Sequence, residues 1–534
     1  MSDQQPTISP QQLAEEITNR RTFAIISHPD AGKTTLTEKL LLYGNAIHLA
    51  GNVRARRNQR SATSDWMTME RDRGISITST VLQFPYLGRT INLLDTPGHQ
   101  DFSEDTYRTL MAADSAVMVL DAAKGVEPQT LKLFDVCRQR GLPVFTFINK
   151  MDRPAQDPLA LLDEIEEVLG MEPVPMNWPI GDGDTFIGVY DRTTEDVHLY
   201  DRTARNQTIS PETITTLENP QIPERLGEMR WEDFQVNIGL LDELRTFDLD
   251  DLLAGNQTLV YFGSALTNFG VQFFLDDFVK YAPAPQPYAS DKGEIDPVEE
   301  PFSGFVFKIQ ANMDPKHRDS VAFLRICSGR FERNITVAHP RSGKDIRLSR
   351  PYKFFADSRE VVDEAFAGDI IGLPGNREFT IGDTLATNNN FNYAPIPRFA
   401  PEHFARLINL DIGKQKQFIK GLHQLETEGA MQVFYEADAQ RRDPILAVVG
   451  VLQFEVVAAR LKEEYNVDTR FENLPYQVSR WVEGSDEDIA KLPWRYGLLK
   501  ARDNEDNIVG LFRSQHEVEY YTREHPNVTF KSTV

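Results

Sequence analysis

A short polar loop between an apolar run and the start of a helix limits the folds open to this chain more than any other stretch. The stretch is Phe23–Leu40, FAIISHPDAGKTTLTEKL. Where a buried strand passes into a helix through such a loop, backbone N–H groups and the helix N-terminus converge on an anion. Ser27 occupies the first glycine position of the pattern G-x-x-x-x-G-K-[ST], but a small residue at a strand end still lets the backbone turn. We therefore predict a phosphate-binding loop.

The predicted loop extends from Ser27 into the first turn of the helix that follows. Lys33 would reach the β- and γ-phosphates of a bound nucleotide, and the Thr34 hydroxyl would bind Mg²⁺. The nucleotide-binding residues predicted from this stretch are Ser27, His28, Pro29, Asp30, Ala31, Gly32, Lys33, Thr34 and Thr35.

A second loop follows the apolar run that ends at Asp95, in the stretch LLDTPGHQDF. An aspartate at the tip of a buried strand can hold magnesium through water, and the Gly98 N–H can donate to the γ-phosphate. His99 comes directly after Gly98, where a side chain can orient a water molecule against the γ-phosphate. We predict all three as nucleotide-binding residues, with His99 as the catalytic residue.

Two further loops indicate which base is bound. The carboxylate of Asp152 can accept from N1–H and the 2-amino group of guanine, a pair of donors that adenine does not present. Asn149 would brace the loop, the Lys150 stem would lie along the base, and the Ala265 N–H would donate to guanine O6. The order of the four loops, each after a buried strand, favours a guanine-nucleotide site. The residues predicted to hold the base are Asn149, Lys150, Asp152, Ser264, Ala265 and Leu266.

The stretch ATSDWMTMERDRGISITST, between the first two loops, is polar and then alternating. In GTP-dependent switches a hydroxyl from such a region completes the magnesium shell and is released on hydrolysis. Ser76 is the candidate. Thr78, two positions on, would point to the same side of an extended chain, so the choice between them stays open. The predicted metal ligands are Thr34, Ser76 and Asp95.

Short apolar runs alternate with amphipathic helices from about residue 20 to 283. The runs FAIIS, TINLLD, AVMVLD, PVFTFIN and TLVYFGS are apolar at nearly every position, which suits strands buried on both faces of a parallel sheet. This pattern predicts a doubly wound α/β domain, a P-loop GTPase domain, over residues 1–283. Residues from about 153 to 257 are too many for one crossover helix, so we predict an inserted subdomain there.

Three further regions follow in the sequence. Residues 284–300 are Pro-rich and charged, which is typical of a linker. Residues 301–395 contain short alternating strands such as GFVFKI and VAFLRICSG, which predict a small β-barrel. Residues 396–534 open with the order β-α-β-β-α-β, which predicts a ferredoxin-like C-terminal domain. The predicted fold class is therefore multidomain: α/β, then β-barrel, then α+β.

The formal net charge of −23 argues against a protein that coats nucleic acid through a diffuse basic field. Local contacts with RNA remain open. Three segments are basic, and each is either solvated surface or a surface that faces RNA. These segments are KQKQFIK, MDPKHRD and NVRARRNQR, the last of which carries Arg54, Arg56, Arg57 and Arg60.

The cellular compartment is indicated by cysteine usage and by the absence of targeting signals. Cys137 and Cys327 lie far apart in apolar surroundings, which predicts buried thiols in a reducing compartment. The N-terminal stretch has neither the basic start nor the apolar core of a secretory signal. No window approaches the roughly 18 apolar residues that a membrane span needs. We expect a cytoplasmic protein without a membrane partner.

In the residues described above, the chain resembles the translational GTPases. SHPDAGKTT, DWMTMERDRGISIT, LLDTPGHQDFSEDTYR, INKMDR and GSAL are similar to the motifs of that family, close to elongation factor G. GFVFKIQANMDPKHRDSVAFLRICSG and AVVGVLQFEVVAARLKEEYNV resemble the class II peptide chain release factors. The resemblance covers about residues 10 to 534. Ser76 stands where many relatives have threonine, and either residue supplies a hydroxyl.

The resemblance implies a ribosome-stimulated GTPase of translation termination. Its cofactors would be GTP or GDP and Mg²⁺, and it would promote dissociation of class I peptide release factors from the ribosome after peptide release. Its partners would be the ribosome, through rRNA and ribosomal proteins, and those class I factors, with a monomer off the ribosome. Elongation factor G carries further domains, so a translocase is not expected.

Two alternatives stay open at this point. The first is another translational GTPase that acts on the ribosome, such as a rescue or protection factor. The second is a non-hydrolysing GTP-binding regulator, which would use Lys33 and Asp152 but show no turnover stimulated by ribosomes. The presence of His99 and of the magnesium ligands argues against the second alternative.

Overall fold

The computed structural model describes most residues of the four predicted regions. The residues that it describes are 8–44, 76–200, 212–244, 246–298, 301–311, 320–355, 358–375, 379–387, 391–396, 400–437, 443–494 and 497–531. The basic segments NVRARRNQR and MDPKHRD lie outside the described residues, so the choice between solvated surface and RNA contact stays open for both. Ser76 is the first described residue after the gap at 45–75.

A seven-stranded sheet forms the first domain, in the order β2-β3-β1-β4-β5-β11-β6. All five predicted apolar runs are strands of this sheet and lie parallel to one another. Two edge strands were not predicted: β2, which is antiparallel to β3, and the short β6 beside β11. The strands of this domain are β1 (Arg20–Ser27), β2 (Thr80–Tyr86), β3 (Arg89–Asp95), β4 (Ser115–Asp121), β5 (Val144–Asn149), β6 (Glu172–Pro175), β7 (Asn177–Ile180), β8 (Gly188–Asp191), β9 (Val197–Tyr200), β10 (Glu212–Thr215) and β11 (Gln257–Phe262).

Helices cover both faces of this sheet, as a doubly wound fold requires. Local signals define the ends of one of these helices: the Asp157 carboxylate accepts from the N–H groups of Leu159 and Ala160 at its start, and the helix ends at Gly170 with φ of 64°. The helices are α1 (Pro10–Thr18), α2 (Lys33–Tyr43), α3 (Ser103–Leu110), α4 (Pro128–Gln139), α5 (Pro158–Leu169), α6 (Gln221–Leu226), α7 (Glu228–Leu244), α8 (Leu249–Leu253) and α9 (Val271–Tyr281).

The predicted insert contains a separate antiparallel sheet of β7 to β10 together with helices α6 to α8. The stretches TFIGVYD and DVHLYD of the insert contain β8 and β9. Helix α5 and strand β6 fall within the same range, but β6 extends the main sheet. The insert therefore adds a strand to the parallel sheet as well as a subdomain beside it.

Aromatic side chains fill one face of the main sheet. The ring of Phe278 on α9 lies 4.5 Å from that of Phe23 and 4.9 Å from that of Phe145, and all three are fully buried. Burying one such side chain stabilises the fold by about 1.5–3 kcal/mol. This packing fixes α9 against strands β1 and β5.

The second domain is a small β-barrel, which confirms the prediction. Its main sheet has the order β18-β17-β23-β14-β15-β22-β19-β20, and β16 pairs with β21. The strands are β12 (Tyr288–Ser290), β13 (Gly293–Ile295), β14 (Ser303–Ala311), β15 (Ser320–Ser328), β16 (Arg330–Glu332), β17 (Thr336–His339), β18 (Lys344–Arg347), β19 (Tyr352–Phe355), β20 (Ser358–Val361), β21 (Glu364–Phe366), β22 (Ile370–Pro374) and β23 (Thr384–Ala386).

Strand β15 is buried on both sides because alternate residues face opposite cores. Ala322, Leu324 and Ile326 belong to the barrel core, whereas Val321 and Phe323 join the apolar cluster that runs into the first domain. The predicted linker is also ordered, since β12 and β13 form a hairpin within residues 284–300. The barrel is thus packed firmly against the first domain.

The third domain begins with the predicted ferredoxin-like unit, whose strands lie in the order β27-β24-β26-β25. Strands β28 to β31, which were not predicted, continue the same sheet beyond β25. The elements are β24 (His403–Asn409), α10 (Gln415–Thr427), β25 (Gln432–Glu436), β26 (Pro444–Val448), α11 (Leu452–Tyr465), β27 (Thr469–Asn473), β28 (Val478–Glu483), α12 (Asp486–Ala490), β29 (Leu499–Arg502), β30 (Ile508–Phe512), α13 (Gln515–Glu524) and β31 (Thr529–Lys531).

Both cysteines are buried and unpaired with each other, as predicted. Burial raises the pKa of the Cys137 and Cys327 thiols to about 12, so neither is a reactive thiolate near neutral pH. No helix within the described ranges has the length and apolar character needed to cross a bilayer.

Candidate nucleotide-binding site

The four predicted loops meet at one edge of the main sheet because the strands are parallel and in register. Ile25 on β1 pairs with Asp95 at the end of β3, and Asp121 at the end of β4 pairs with Asn149 at the end of β5. Strand β11 lies beside β5 and ends just before Ser264. The topology therefore brings together all the loops that the sequence singled out.

The phosphate loop leads into helix α2, whose N-cap residue, Gly32, makes no side-chain hydrogen bond to the helix N-terminus. Gly32 precedes the helix at φ of 99°, in the left-handed region, and a Cβ there would overlap the Asn149 side-chain amide. Glycine is thus required for both conformation and space. The first-turn N–H groups of Lys33, Thr34 and Thr35 have no intrahelical acceptor, which makes this end an anion site.

Ser27 and His28 show how the loop departs from the glycine-rich pattern. Ser27 is the last residue of β1 and is almost fully buried, and its hydroxyl has no hydrogen-bond partner among the described residues. The serine is therefore accommodated at the strand end. The His28 Nε2 lies 3.2 Å from the Glu127 carboxylate at the start of α4, which fixes the outer side of the loop.

Lys33 and Asp95 form a buried ion pair at the centre of the site. The Lys33 Nζ lies 2.5 Å from Asp95 Oδ1, and both side chains are at most 5% exposed. The second oxygen, Asp95 Oδ2, is buried without a hydrogen-bond partner in the described part of the chain. A buried carboxylate oxygen without a donor is costly unless it meets a cation or its water shell. Asp95 therefore fits the predicted place beside Mg²⁺.

Gly98 and His99 lie next to the phosphate loop. A Cβ built on Gly98 would be 3.5 Å from the backbone of Pro29, so the two loops are no more than about one methyl group apart. The His99 imidazole caps a short 3-10 turn, in which Nδ1 accepts from the Asp101 N–H at 3.3 Å. The side chain is 33% exposed, so it can still reach a ligand.

The predicted base-binding residues are joined by hydrogen bonds. Ser264 Oγ donates to Asp152 Oδ1 at 2.6 Å, and the Ala265 N–H donates to Asn149 Oδ1 at 2.9 Å. The Asn149 amide nitrogen donates to the Ala31 carbonyl at 2.8 Å. Asn149 thus hydrogen-bonds to two loops at once, and the Ala265 N–H, which was predicted to donate to guanine O6, donates to Asn149 in this structure. Leu266 is 46% exposed and lies at the outer end of this loop.

Lys150 is held by a residue that the sequence did not single out. Its Nζ donates to the Asp30 carbonyl and to Asp121 Oδ2, the latter at 2.7 Å. Burial alone would raise the pKa of the Asp121 carboxyl, but the Lys150 ammonium and the Ala123 N–H outweigh it, so this pKa lies below its usual range. Asp121 ends the apolar run AVMVLD in the way that Asp95 ends LLD, and this parallel would have identified it.

The segment with Ser76 and Thr78 leads into β2, and its end is fixed by two other elements. The Ser79 N–H donates to Asp105 Oδ2 at 2.6 Å on α3. Lys308 of barrel strand β14 donates to the Ser79 carbonyl and, at 3.1 Å, to its hydroxyl. Lys308 is 229 residues away along the chain, so no local sequence signal could have identified it.

Burial and charge also act on Asp105, which faces Lys308. Burial alone would raise the pKa of the Asp105 carboxyl, but the Lys308 ammonium, the Arg108 guanidinium and the Ser79 N–H lower it below its usual range. Arg108 in turn donates to the Gly429 carbonyl of the third domain at 2.9 Å. The first, second and third domains therefore meet beside the predicted site.

Comparison with protein families divides the chain into three matching regions. Residues 18–284 match the Elongation factor Tu GTP binding domain. Residues 301–388 match Elongation factor G domain 2. Residues 393–522 match the family described as Class II release factor RF3, C-terminal domain. The first match identifies a guanine-nucleotide-binding domain.

Curated relatives match over nearly their whole length. The chain is 56% identical to Peptide chain release factor 3 of Gloeobacter violaceus, over 97% of this chain and 98% of the relative. It is 55% identical to Peptide chain release factor 3 of Rippkaea orientalis, over 98% and 97%. A crystal structure of a Thermus thermophilus protein shares the fold, with a TM-score of 0.69 at 22% identity over 87% of this chain and 71% of that one. The chain belongs to the peptide chain release factor 3 family.

Proposed function

We propose that this translational GTPase of termination binds GTP with Mg²⁺ at the edge of the main sheet and hydrolyses it to GDP and phosphate on the ribosome. The observation that carries the proposal is the buried Lys33–Asp95 pair beside the open N-terminus of α2. A lysine and uncapped N–H groups bind the phosphates, and a carboxylate beside them suits a divalent cation.

Different residues of this chain would hold the phosphates and the magnesium ion. The N–H groups of the loop from Ser27 to Thr35 would hold the phosphates, and Lys33, which pairs with Asp95 in the structure, would supply positive charge to the β- and γ-phosphates. Thr34, Asp95 through water, and the hydroxyl of Ser76 or Thr78 would hold the magnesium ion. When bound, Mg²⁺ neutralises the charge that develops on the phosphate oxygens.

The base is selected by Asp152 and hydrolysis is promoted by His99. Ser264 and Asn149 fix the two loops by hydrogen bonds, and the Asp152 carboxylate would accept from the two donors that guanine presents. His99 lies beside Gly98 and would orient water for in-line attack on the γ-phosphate. Loss of the γ-phosphate would release the Ser76 segment, and the contacts of Lys308 and Arg108 would pass that change to the other two domains.

Within termination, we propose that the chain promotes dissociation of class I release factors from the ribosome after peptide release, as a cytoplasmic monomer. The names of relatives that match over nearly the whole chain support this over a rescue or protection factor. The positions of His99 and Asp95 support hydrolysis over a purely regulatory GTP-binding protein.

The test is GTP turnover with and without ribosomes, measured together with dissociation of labelled class I factor from ribosomes after peptide release. We expect turnover to rise strongly with ribosomes and class I factor to leave only when GTP is present. Tight GTP binding without stimulated turnover would instead identify a regulator. Stimulated turnover without loss of class I factor would identify a different translational GTPase.

Lys308→Met is predicted to weaken Mg²⁺ binding. The variant loses the hydrogen bonds that fix Ser79, and Ser79 comes directly after Thr78 and close to Ser76, the two candidate magnesium ligands. Methionine fills about the same buried volume but takes one cation away from the buried Asp105 carboxylate, which destabilises the fold. Arg108 remains beside Asp105, so we expect a folded but less stable variant, which thermal unfolding checks first. Loss of a hydrogen bond to a charged group should raise the Mg²⁺ concentration for half-maximal GTP binding about tenfold or more. A magnesium titration with a fluorescent GTP analogue measures this.

The matched control is Lys353→Met, which removes a barrel lysine that faces Asp369, 3.5 Å away, and not the Ser79 segment. We expect its magnesium requirement to equal that of the unmodified protein. Equal curves for both variants and the unmodified protein would contradict a role for Lys308 at the site.

A further inference from the structure

The motif AVVGVLQFEVVAARLKEEYNV of the third domain lies against the loop that carries His99. Its helix α11 begins at Leu452, whose N–H donates to Asp101 Oδ2 at 2.7 Å, across 351 residues of sequence. Asp101 is 6% exposed. The N-terminus of a helix favours a carboxylate through its free N–H groups and dipole, so this contact fixes the Asp101 side chain.

Gly450 makes the close approach possible. A Cβ at this position would overlap the carboxyl group of Asp101, and the backbone of Gly450 is not in the left-handed region. The glycine is therefore needed for space and not for conformation. The turn is rigid, because the Gln453 side chain accepts from the N–H groups of Val449 and Gly450 at 2.9 and 3.0 Å.

Apolar side chains surround this contact. Phe102, which follows Asp101, packs with Ile77 and Val456 in one buried cluster. Ile77 lies between Ser76 and Thr78, before β2, and Val456 lies on α11. Side chains that exclude water strengthen a charged hydrogen bond, because the local dielectric constant is lower. The third domain thus holds the turn after His99 through both a polar and an apolar contact.

Asp101 contacts His99 through two of its groups. Its backbone N–H donates to His99 Nδ1 at 3.3 Å, and its Oδ1 lies 3.4 Å from the same nitrogen. A partner on one ring nitrogen sets the orientation of the imidazole and leaves the other nitrogen for chemistry. Here Nδ1 faces Asp101, and Nε2 is the nitrogen left for a ligand.

We propose that Asp101 is a positioning residue for hydrolysis, and that Leu452 and Gly450 of the third domain fix the position of its side chain. The inference rests on the proposed function of His99. Docking of α11 fixes the Asp101 carboxylate, the turn it belongs to holds Nδ1, and Nε2 is presented to the attacking water. Hydrolysis then requires the third domain to contact the turn that follows His99. The rate of GTP hydrolysis therefore depends on the position of that domain.

The test is a double-mutant cycle. Asp101→Ala, Asp101→Asn and Gly450→Ala are each made alone and in the His99→Ala background. The readout is single-turnover GTP hydrolysis at saturating ribosomes, together with the ribosome concentration for half-maximal rate and the nucleotide affinity. Gly421→Ala is the control, because a methyl group there presses on Leu461 within the third domain, away from Asp101.

We expect Asp101→Ala and Gly450→Ala to lower the maximal rate about tenfold or more, because a misplaced catalytic group commonly costs that much. The half-maximal ribosome concentration and nucleotide affinity should stay within about twofold of the unmodified protein. Asp101→Asn, which keeps an acceptor for Leu452, should retain most of the rate. In the His99→Ala background none of the three should lower the rate further, since residues that act through one group are not additive.

Two results would overturn the inference. One is an unchanged maximal rate in Asp101→Ala and Gly450→Ala while the unmodified protein is stimulated by ribosomes. The other is a loss that persists fully in the His99→Ala background or that Gly421→Ala reproduces, which would indicate a general effect of domain stability. Absence of ribosome stimulation in the unmodified protein would refute the proposed function itself, so the two failures can be distinguished.

Discussion

Replacing His99 with alanine is expected to slow ribosome-stimulated GTP hydrolysis about 100- to 1000-fold, the range typical for removal of a positioned proton-transfer or water-orienting group. His99 follows Gly98, which lies close to Pro29 of the phosphate loop, but His99 is not among the residues predicted to hold the base. The affinities for GTP and GDP should therefore stay within about twofold. Single-turnover hydrolysis on ribosomes and equilibrium binding of a fluorescent nucleotide measure the two quantities.

The control for this variant is the next residue, Gln100, which is exposed and opens the same short turn. Gln100→Ala should hydrolyse GTP at close to the rate of the unmodified protein. If His99→Ala kept its full rate, another group would have to orient the water. If it lost nucleotide affinity in proportion to rate, His99 would be a binding residue and not a catalytic one.

Much of the fold could be predicted because the apolar runs are nearly continuous. Strands buried on both faces, such as β1 and β4, carry a strong signal. Of the extra strands, β28, β29 and β31 were missed because they are short and partly exposed, so their alternation is weak. Strand β30 is buried at four of its five positions, but so short an apolar run does not by itself distinguish a strand from a helix. Strand β6 was missed for a related reason: its four residues, EPVP, contain two prolines.

The residues of the candidate site could be located for a topological reason. Parallel strands end at one edge, so a loop after each strand is near every other such loop. The structure accordingly joins Lys33 with Asp95 and Asp152 with Ser264, although each pair is far apart in sequence.

What the sequence could not predict are the contacts between domains. Lys308 reaches Ser79 from a barrel strand, and Leu452 reaches Asp101 from a helix of the third domain. The same holds for Arg325 of the barrel, which forms a fully buried ion pair with Asp114 of the first domain at 2.7 Å. None of these pairs has a local pattern, because the packing of whole domains decides which side chains meet.

Asp152→Asn is expected to change the preferred base from guanine to xanthine. The Asp152 carboxylate offers acceptors to N1–H and the 2-amino group of guanine, and Ser264 holds one of its oxygens at 2.6 Å. The asparagine keeps an oxygen for Ser264 and presents an amide NH₂, which repels the 2-amino group but suits the carbonyl of xanthine. A paired contact of this kind discriminates by about 1–3 kcal/mol, so GTP affinity should fall about 10- to 100-fold.

Competition binding with GTP and xanthosine triphosphate measures this change as a ratio of two affinities. Asp121→Asn is the matched control, since Asp121 ends the neighbouring strand and binds Lys150 at 2.7 Å without facing the base. Asp121→Asn should weaken the binding of both nucleotides to a similar extent and leave the ratio of their affinities unchanged. Because a loosened loop lowers both affinities together, only a group that faces the base can reverse their order. Unchanged preference for GTP in Asp152→Asn would therefore remove Asp152 from the base-binding site.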